Sequence, residues 1–227
     1  MKPFDQSPEQ VHQHAGGLDI SDSSRKVLRN TYTLLALNLA TSAAVAGISM
    51  MMNLPHPGII LLLVGVFGLS FLITKFRNSA AAIPLTFAFT SFLGYSLGPI
   101  LGLYLGMQGG TQIVMMALAG TAATFAGVSA WSMVTKTDLS GMGQYLFVGI
   151  LVAFVLGLVA YFFAVPALSI AVSAMFVLLM TGLIAYQTQQ IVNGGETNYV
   201  MATVTLFMAI YNLFVSLLSI LGFANSD

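Results

Sequence analysis

From Thr31 onward the chain alternates between long apolar runs and short breaks that carry proline, paired glycines or charge. A bilayer core is crossed by about 20 apolar residues in helical form. The pattern therefore predicts seven spanning helices: Thr31 to Met52, Gly58 to Thr74, Ala81 to Gly106, Thr111 to Thr135, Gly143 to Ala164, Leu168 to Ile191 and Tyr199 to Gly222. The breaks are Pro55 and Pro57, Lys75 and Arg77, Gly109-Gly110, Lys136 and Asp138, Pro166, and Asn193-Gly194-Gly195. Residues 1–24 are polar, hold Gly16-Gly17 and the pair His12 and His14, and show no apolar period. Such a segment reads as a disordered tail, leaving 25–227 as one transmembrane domain. The first apolar run starts too late, and runs too long, for a cleaved secretory signal.

Composition sharpens the class. Of the 227 residues 57% are hydrophobic and 6% charged, against about 25% charged in a soluble domain. An all-α membrane protein, a seven-helix bundle, is the expected fold. Net charge is zero and no extended basic patch exists, so nucleic acid is not an expected partner; the lipid bilayer is. With no cysteine, disulfides and thiol chemistry are excluded. Arg25, Lys26, Arg29, Lys75, Arg77 and Lys136 all fall on one side of a seven-span topology, and the three opposite loops have no Lys or Arg. The positive-inside rule then puts the N-terminus in the cytoplasm and the C-terminus outside. A six-span topology would return the C-terminus to the cytoplasm.

The predicted span interiors hold no Asp, Glu, Lys, Arg or His. Proton relays, ion-coupled transport and voltage sensing normally use such groups, and intramembrane proteolysis needs a base or a carboxylate pair. No catalytic, metal or cofactor site is expected. Three other signals remain. Gly94, Gly98, Gly102 and Gly106 lie at steps of four around Pro99, a helix face that lets backbones approach closely; it serves internal packing, or else a hinge or partner groove. Uncharged polar residues recur in the spans, among them Asn38, Thr86, Thr90, Thr121, Thr181 and Asn212. Interhelical hydrogen bonds explain them, a polar path being the other reading. Asn212 is the costliest to leave unpaired in lipid, so it should be buried facing the bundle. The third signal is the turn Gly194-Gly195-Glu196 before Asn198 and Tyr199. Asn193-Gly194-Gly195 can end one helix, Thr197 or Asn198 can cap the next, and Glu196 suits that helix's dipole. The same turn could instead contact a partner or form a gate.

Tyr186-Gln187-Thr188-Gln189, then Tyr199, then Leu206 to Phe214, with Gly94-Tyr95-Ser96-Leu97-Gly98-Pro99 upstream, resemble the Bax-inhibitor (transmembrane Bax-inhibitor-motif) family. The resemblance implies seven helices with the last one central. It also implies, for some members, a pH-sensitive calcium leak latched by two carboxylates on helices 6 and 7. The matching positions here are Gln187 and Ala209; neither can titrate, so a carboxylate latch does not carry over. The blocks Lys26 to Tyr32, Gly194 to Tyr199 and Val215 to Ala224 further resemble bacterial inner-membrane members of the family. Those associate with the membrane-anchored protease FtsH and its HflK/HflC partners and restrain its degradation of membrane proteins. A polar leader of roughly 24 residues, at about 3.3–3.6 Å each, could reach about 80 Å toward a pulling pore.

Overall fold

The computed structural model describes residues 20–135 and 137–225; most of the expected tail lies outside them. Seven helices follow in order: α1 (Asp22–Met51), α2 (Gly58–Phe76), α3 (Ala82–Leu105), α4 (Gly110–Val134), α5 (Met142–Phe162), α6 (Pro166–Val192) and α7 (Tyr199–Ala224). All seven are long and apolar enough to cross a membrane. From Tyr199 to Gly222 no residue of α7 is exposed. A helix apolar on every side belongs in the centre of a bundle, and α1, α3, α4 and α6 all pack on it. Outside these, α2 packs on α3 and α5 on α6. The core gathers around α7, where Phe207 meets Phe89 edge-on at 6.3 Å beside the fully buried Leu206 and Leu213.

One boundary departs from expectation. α1 starts at Asp22, not at Thr31, so residues 22–24 belong to the helix and not to the tail. Ser21 caps it, its Oγ accepting the Ser24 N–H at 3.2 Å, and Asp22 in the first turn suits the dipole. These early turns are amphipathic. Ser24 is buried and Val27 and Leu28 pack on the core, while Arg25, Lys26 and Arg29 face outward. Hydropathy registers only the apolar run that follows.

The tightest pairing is α1 against α3. A Cβ at Gly94 would run into the Ser42 carbonyl, and one at Gly98 would lie 2.6 Å from the Ser49 Cβ and 2.8 Å from the Ala46 oxygen. Glycine therefore sets the spacing of these two backbones. The rest of the stripe does not share this role: a Cβ at Gly102 would meet only the Met50 side chain at 3.7 Å, and Gly106 is the C-cap of α3. Pro99 has no N–H, so it gives nothing to the Tyr95 carbonyl four residues earlier. The Ser49 hydroxyl donates to that carbonyl from α1 at 2.9 Å, and α3 runs unbroken through the proline. Deeper along the seam, Asn38 Nδ2 donates to Thr86 Oγ1 at 3.3 Å and Thr90 Oγ1 donates to Asn38 Oδ1 at 3.1 Å.

Two expectations about polar residues need correction. Asn212 is only partly buried, and its amide donates to Met208 O of its own helix at 2.8 Å. An amide satisfied along its own helix has no need of the inner face; the fully enclosed one is Asn38. Several hydroxyls likewise bond back one turn, Thr121 to Ala117 O and Thr181 to Val177 O, both at 2.7 Å. Reaching the carbonyl four residues back costs a hydroxyl little. The interhelical bonds are fewer, and several come from residues outside the polar set named for the spans: Ser49, and Ser96 with Tyr211 at 3.1 Å.

The glycines make a clean test. Alanine in a helix is favoured over glycine by about 1 kcal/mol, whereas overpacking costs about 1–3 kcal/mol. Gly94→Ala and Gly98→Ala should lower the thermal unfolding midpoint of the detergent-purified protein, while Gly102→Ala should leave it unchanged or raise it.

Candidate functional site

Every charged residue among those described lies at one end of the bundle: Asp22, Arg25, Lys26 and Arg29 at the start of α1, Lys75 and Arg77 after α2, Asp138 after α4, and Glu196 between α6 and α7. The turn that ends α6 holds this end together. Asn193 closes the helix and Gly194 takes φ +77°, a left-handed conformation suited to glycine. The N–H groups of Gly195 and Glu196 both reach Gln190 O, at 2.8 and 3.0 Å. A Cβ at Gly195 would meet Gln190 Oε1, the far end of a side chain that can swing aside. Glu196 Oε1 accepts the Asn198 N–H at 2.8 Å, placing a carboxylate ahead of the positive end of α7.

Asn198 is the junction. Its Oδ1 accepts from Val200 N and Met201 N, at 3.0 and 3.1 Å, and so caps α7. Its Nδ2 donates to Arg77 O at 3.0 Å and to Asn78 Oδ1 at 3.1 Å, which fastens the α2–α3 loop to the α6–α7 turn. Gln189 does the same for the α4–α5 loop: Oε1 accepts from Leu139 N and Nε2 donates to Thr137 O, both at 2.6 Å. In that loop the Ser140 backbone N–H and hydroxyl hydrogen-bond Asp138 and hold its carboxyl below the usual range. Tyr199 opens α7 and packs partly buried against the main core. Between the α6–α7 turn and the start of α1 lies a cleft of about 560 Å³, lined by Ser21, Ser24, Val27, Val192, Gly194 and Glu196 among others.

The segment Gln187-Thr188-Gln189 is buried although polar. Thr188 meets the Tyr32 hydroxyl of α1 at 3.4 Å, and Tyr32 in turn lies 5.7 Å from the Phe125 ring of α4. Gln187 is 7% exposed, and its Nε2 has no hydrogen-bond partner among the described residues. Ala209 is fully buried on α7, the helix against which α6 packs most extensively. An amide and a methyl group at these positions can hold no proton-dependent charge. Among the described residues no three His, Asp or Glu groups come together as a metal site. In the sequence Gln189 stands out only as part of the motif from Tyr186. A glutamine at the polar end of an apolar helix signals a fastening role, but the loop it fastens is set by tertiary packing.

The sequence that builds these seven apolar helices around a buried last helix is matched by a family model. The chain belongs to the Bax-inhibitor family, described as inhibitor of apoptosis-promoting Bax1, which matches residues 24–226. Among its relatives is the modulator of FtsH protease YccA of Escherichia coli K12, 52% identical over 206 residues, covering 90% of this chain and 93% of the relative. The inner membrane protein YccA of another E. coli strain matches equally well. An uncharacterised protein of Pseudomonas aeruginosa is 48% identical over 201 residues, covering 88% of this chain and 90% of its own.

Asn198 allows its two roles to be separated. Asn198→Asp keeps the accepting oxygen and loses the donating nitrogen. Amide exchange in residues 77–81 should rise while the first turn of α7 stays protected; Asn198→Ala should loosen both, with a cap loss of about 0.5–2 kcal/mol.

Proposed function

We propose that this protein is a non-enzymatic modulator of the membrane protease FtsH in the bacterial inner membrane, acting as an inhibitor of its degradation of membrane proteins. The observation that carries this is the 52% identity to the modulator of FtsH protease YccA over 206 residues, nearly the whole of both chains. The positive-inside rule favours the charged end in the cytoplasm, with the N-terminus there and the C-terminus in the periplasm. FtsH, together with HflK and HflC, is then the partner assembly. Gly194, Gly195, Glu196, Asn198 and Tyr199, around the cleft, form the surface we assign to that contact.

The mode of action follows from polarity. Residues 1–19 are polar and precede a capped helix, and they offer a segment that an ATP-driven pore can grip. The first element to be withdrawn is α1, which is seated on α3 through Gly94, Gly98, Asn38 and Ser49. Its apolar surface is stabilised in lipid and its Asn38 and Ser49 side chains are paired with α3, so extraction is slow and the protease is occupied. Gln187 and Ala209 take no titrating part.

Crosslinked co-purification from native membranes should recover FtsH with this protein; its absence would overturn the assignment. Deleting residues 1–19, which leaves the Ser21 cap intact, should lengthen the protein's own half-life and abolish its protection of other membrane substrates. If both are unchanged while FtsH still co-purifies, the grip on the leader is wrong and the association stands.

A further inference from the structure

We infer that the outer face of α1 is a binding site for an anionic phospholipid, with Arg25, Lys26 and Arg29 holding the headgroup and the small-residue strip below them receiving an acyl chain. The three cations are exposed and belong to the helix itself. Together with Asp22 they line a shallow concavity of about 340 Å³, three cations against one carboxylate. At about 100° per residue, Arg25 and Arg29 share a sector of roughly 120° with Thr33, Ala36, Ala40, Ala43, Ala44 and Gly47. Thr33, Ala36, Ala40, Ala43 and Ala44 are exposed and Gly47 partly so, and a Cβ at Gly47 would meet nothing within 4 Å. The opposite face carries the buried Leu34, Leu35, Asn38, Ser42 and Ala46, so the strip is open because α3, α6 and α7 occupy the other side.

Length and charge select the occupant. Arg29 to Ala40 spans 11 residues, about 16 Å at 1.5 Å rise, close to half of a hydrocarbon core of about 30 Å. The basic group therefore stands at headgroup level with one leaflet's depth of shallow apolar channel beneath it. Basic side chains at a helix end attract anionic lipid, each by about fivefold in affinity. A partner helix is the less favoured occupant, because Leu37 at 53% and Ile48 at 55% exposure protrude from the flank of the strip and would hold a second backbone away. This inference does not rest on the protease assignment.

The test uses the full-length protein in bilayers with spin-labelled phosphatidylglycerol or phosphatidylcholine. Wild type should retain motionally restricted phosphatidylglycerol over phosphatidylcholine by about fivefold or more, falling as salt is raised. The triple variant Arg25→Gln, Lys26→Gln, Arg29→Gln should bring the ratio to about one, and the pair Lys75→Gln, Arg77→Gln should leave it near wild type. An unchanged ratio in the triple variant, an equal fall in the pair, or no preference in wild type each overturns the site. A photoreactive side chain at position 40 in otherwise unaltered protein, activated in native membranes, should acquire the mass of a phospholipid. An attached polypeptide would overturn the lipid in favour of a helix.

Discussion

In hydrocarbon, a polar group without a partner has no water to fall back on, and this bundle pairs most of its buried polar groups while every charge among the described residues stays at one end. Helical backbones look after themselves except where proline intervenes. There, Ser49 of α1 gives Tyr95 of α3 the hydrogen that Pro99 withholds. Asn38 then uses both ends of its amide on Thr86 and Thr90. Glycines at 94 and 98 bring the backbones near enough for these short side chains to reach. Close approach and polar satisfaction are thus one arrangement, and each fails without the other.

Much of this was legible from the amino-acid pattern, and the illegible part has a physical cause. Apolar runs locate spans because transfer into lipid depends on composition over about 20 residues, so six of the seven helices begin within two residues of where hydropathy places them. The exception, α1, begins with turns whose outward side is basic, and hydropathy averages such turns as polar. What a hydroxyl or an amide bonds to cannot be read from its type. Asn212 and Asn38 are the same residue in similar surroundings of sequence, yet one bonds along its own helix and the other across to a neighbour.

At the candidate site the cap chemistry around Gly194 and Asn198 was legible, because left-handed turns and N-caps are local. The second function of Asn198, fastening the loop of Arg77 and Asn78 some 120 positions away in sequence, was not, and neither was the hold of Gln189 on Thr137 and Leu139. Both are long-range bonds, made by a side chain that already has a local role in Asn198 and by one that has none in Gln189. The outcome is a charged end whose separate loops are joined by two amides.

The serine that mends the proline gap has a mechanical corollary. A machine that draws the chain out leader first must peel α1 from α3, and the moment Ser49 departs, the Tyr95 carbonyl stands bare in oil. An unpaired carbonyl there costs on the order of 1–3 kcal/mol, and the two faces of the Asn38 amide are stripped in the same stroke. The first helix is therefore a latchpin and not a loose thread: drawing it out uncovers polar groups on α3 that its presence keeps paired.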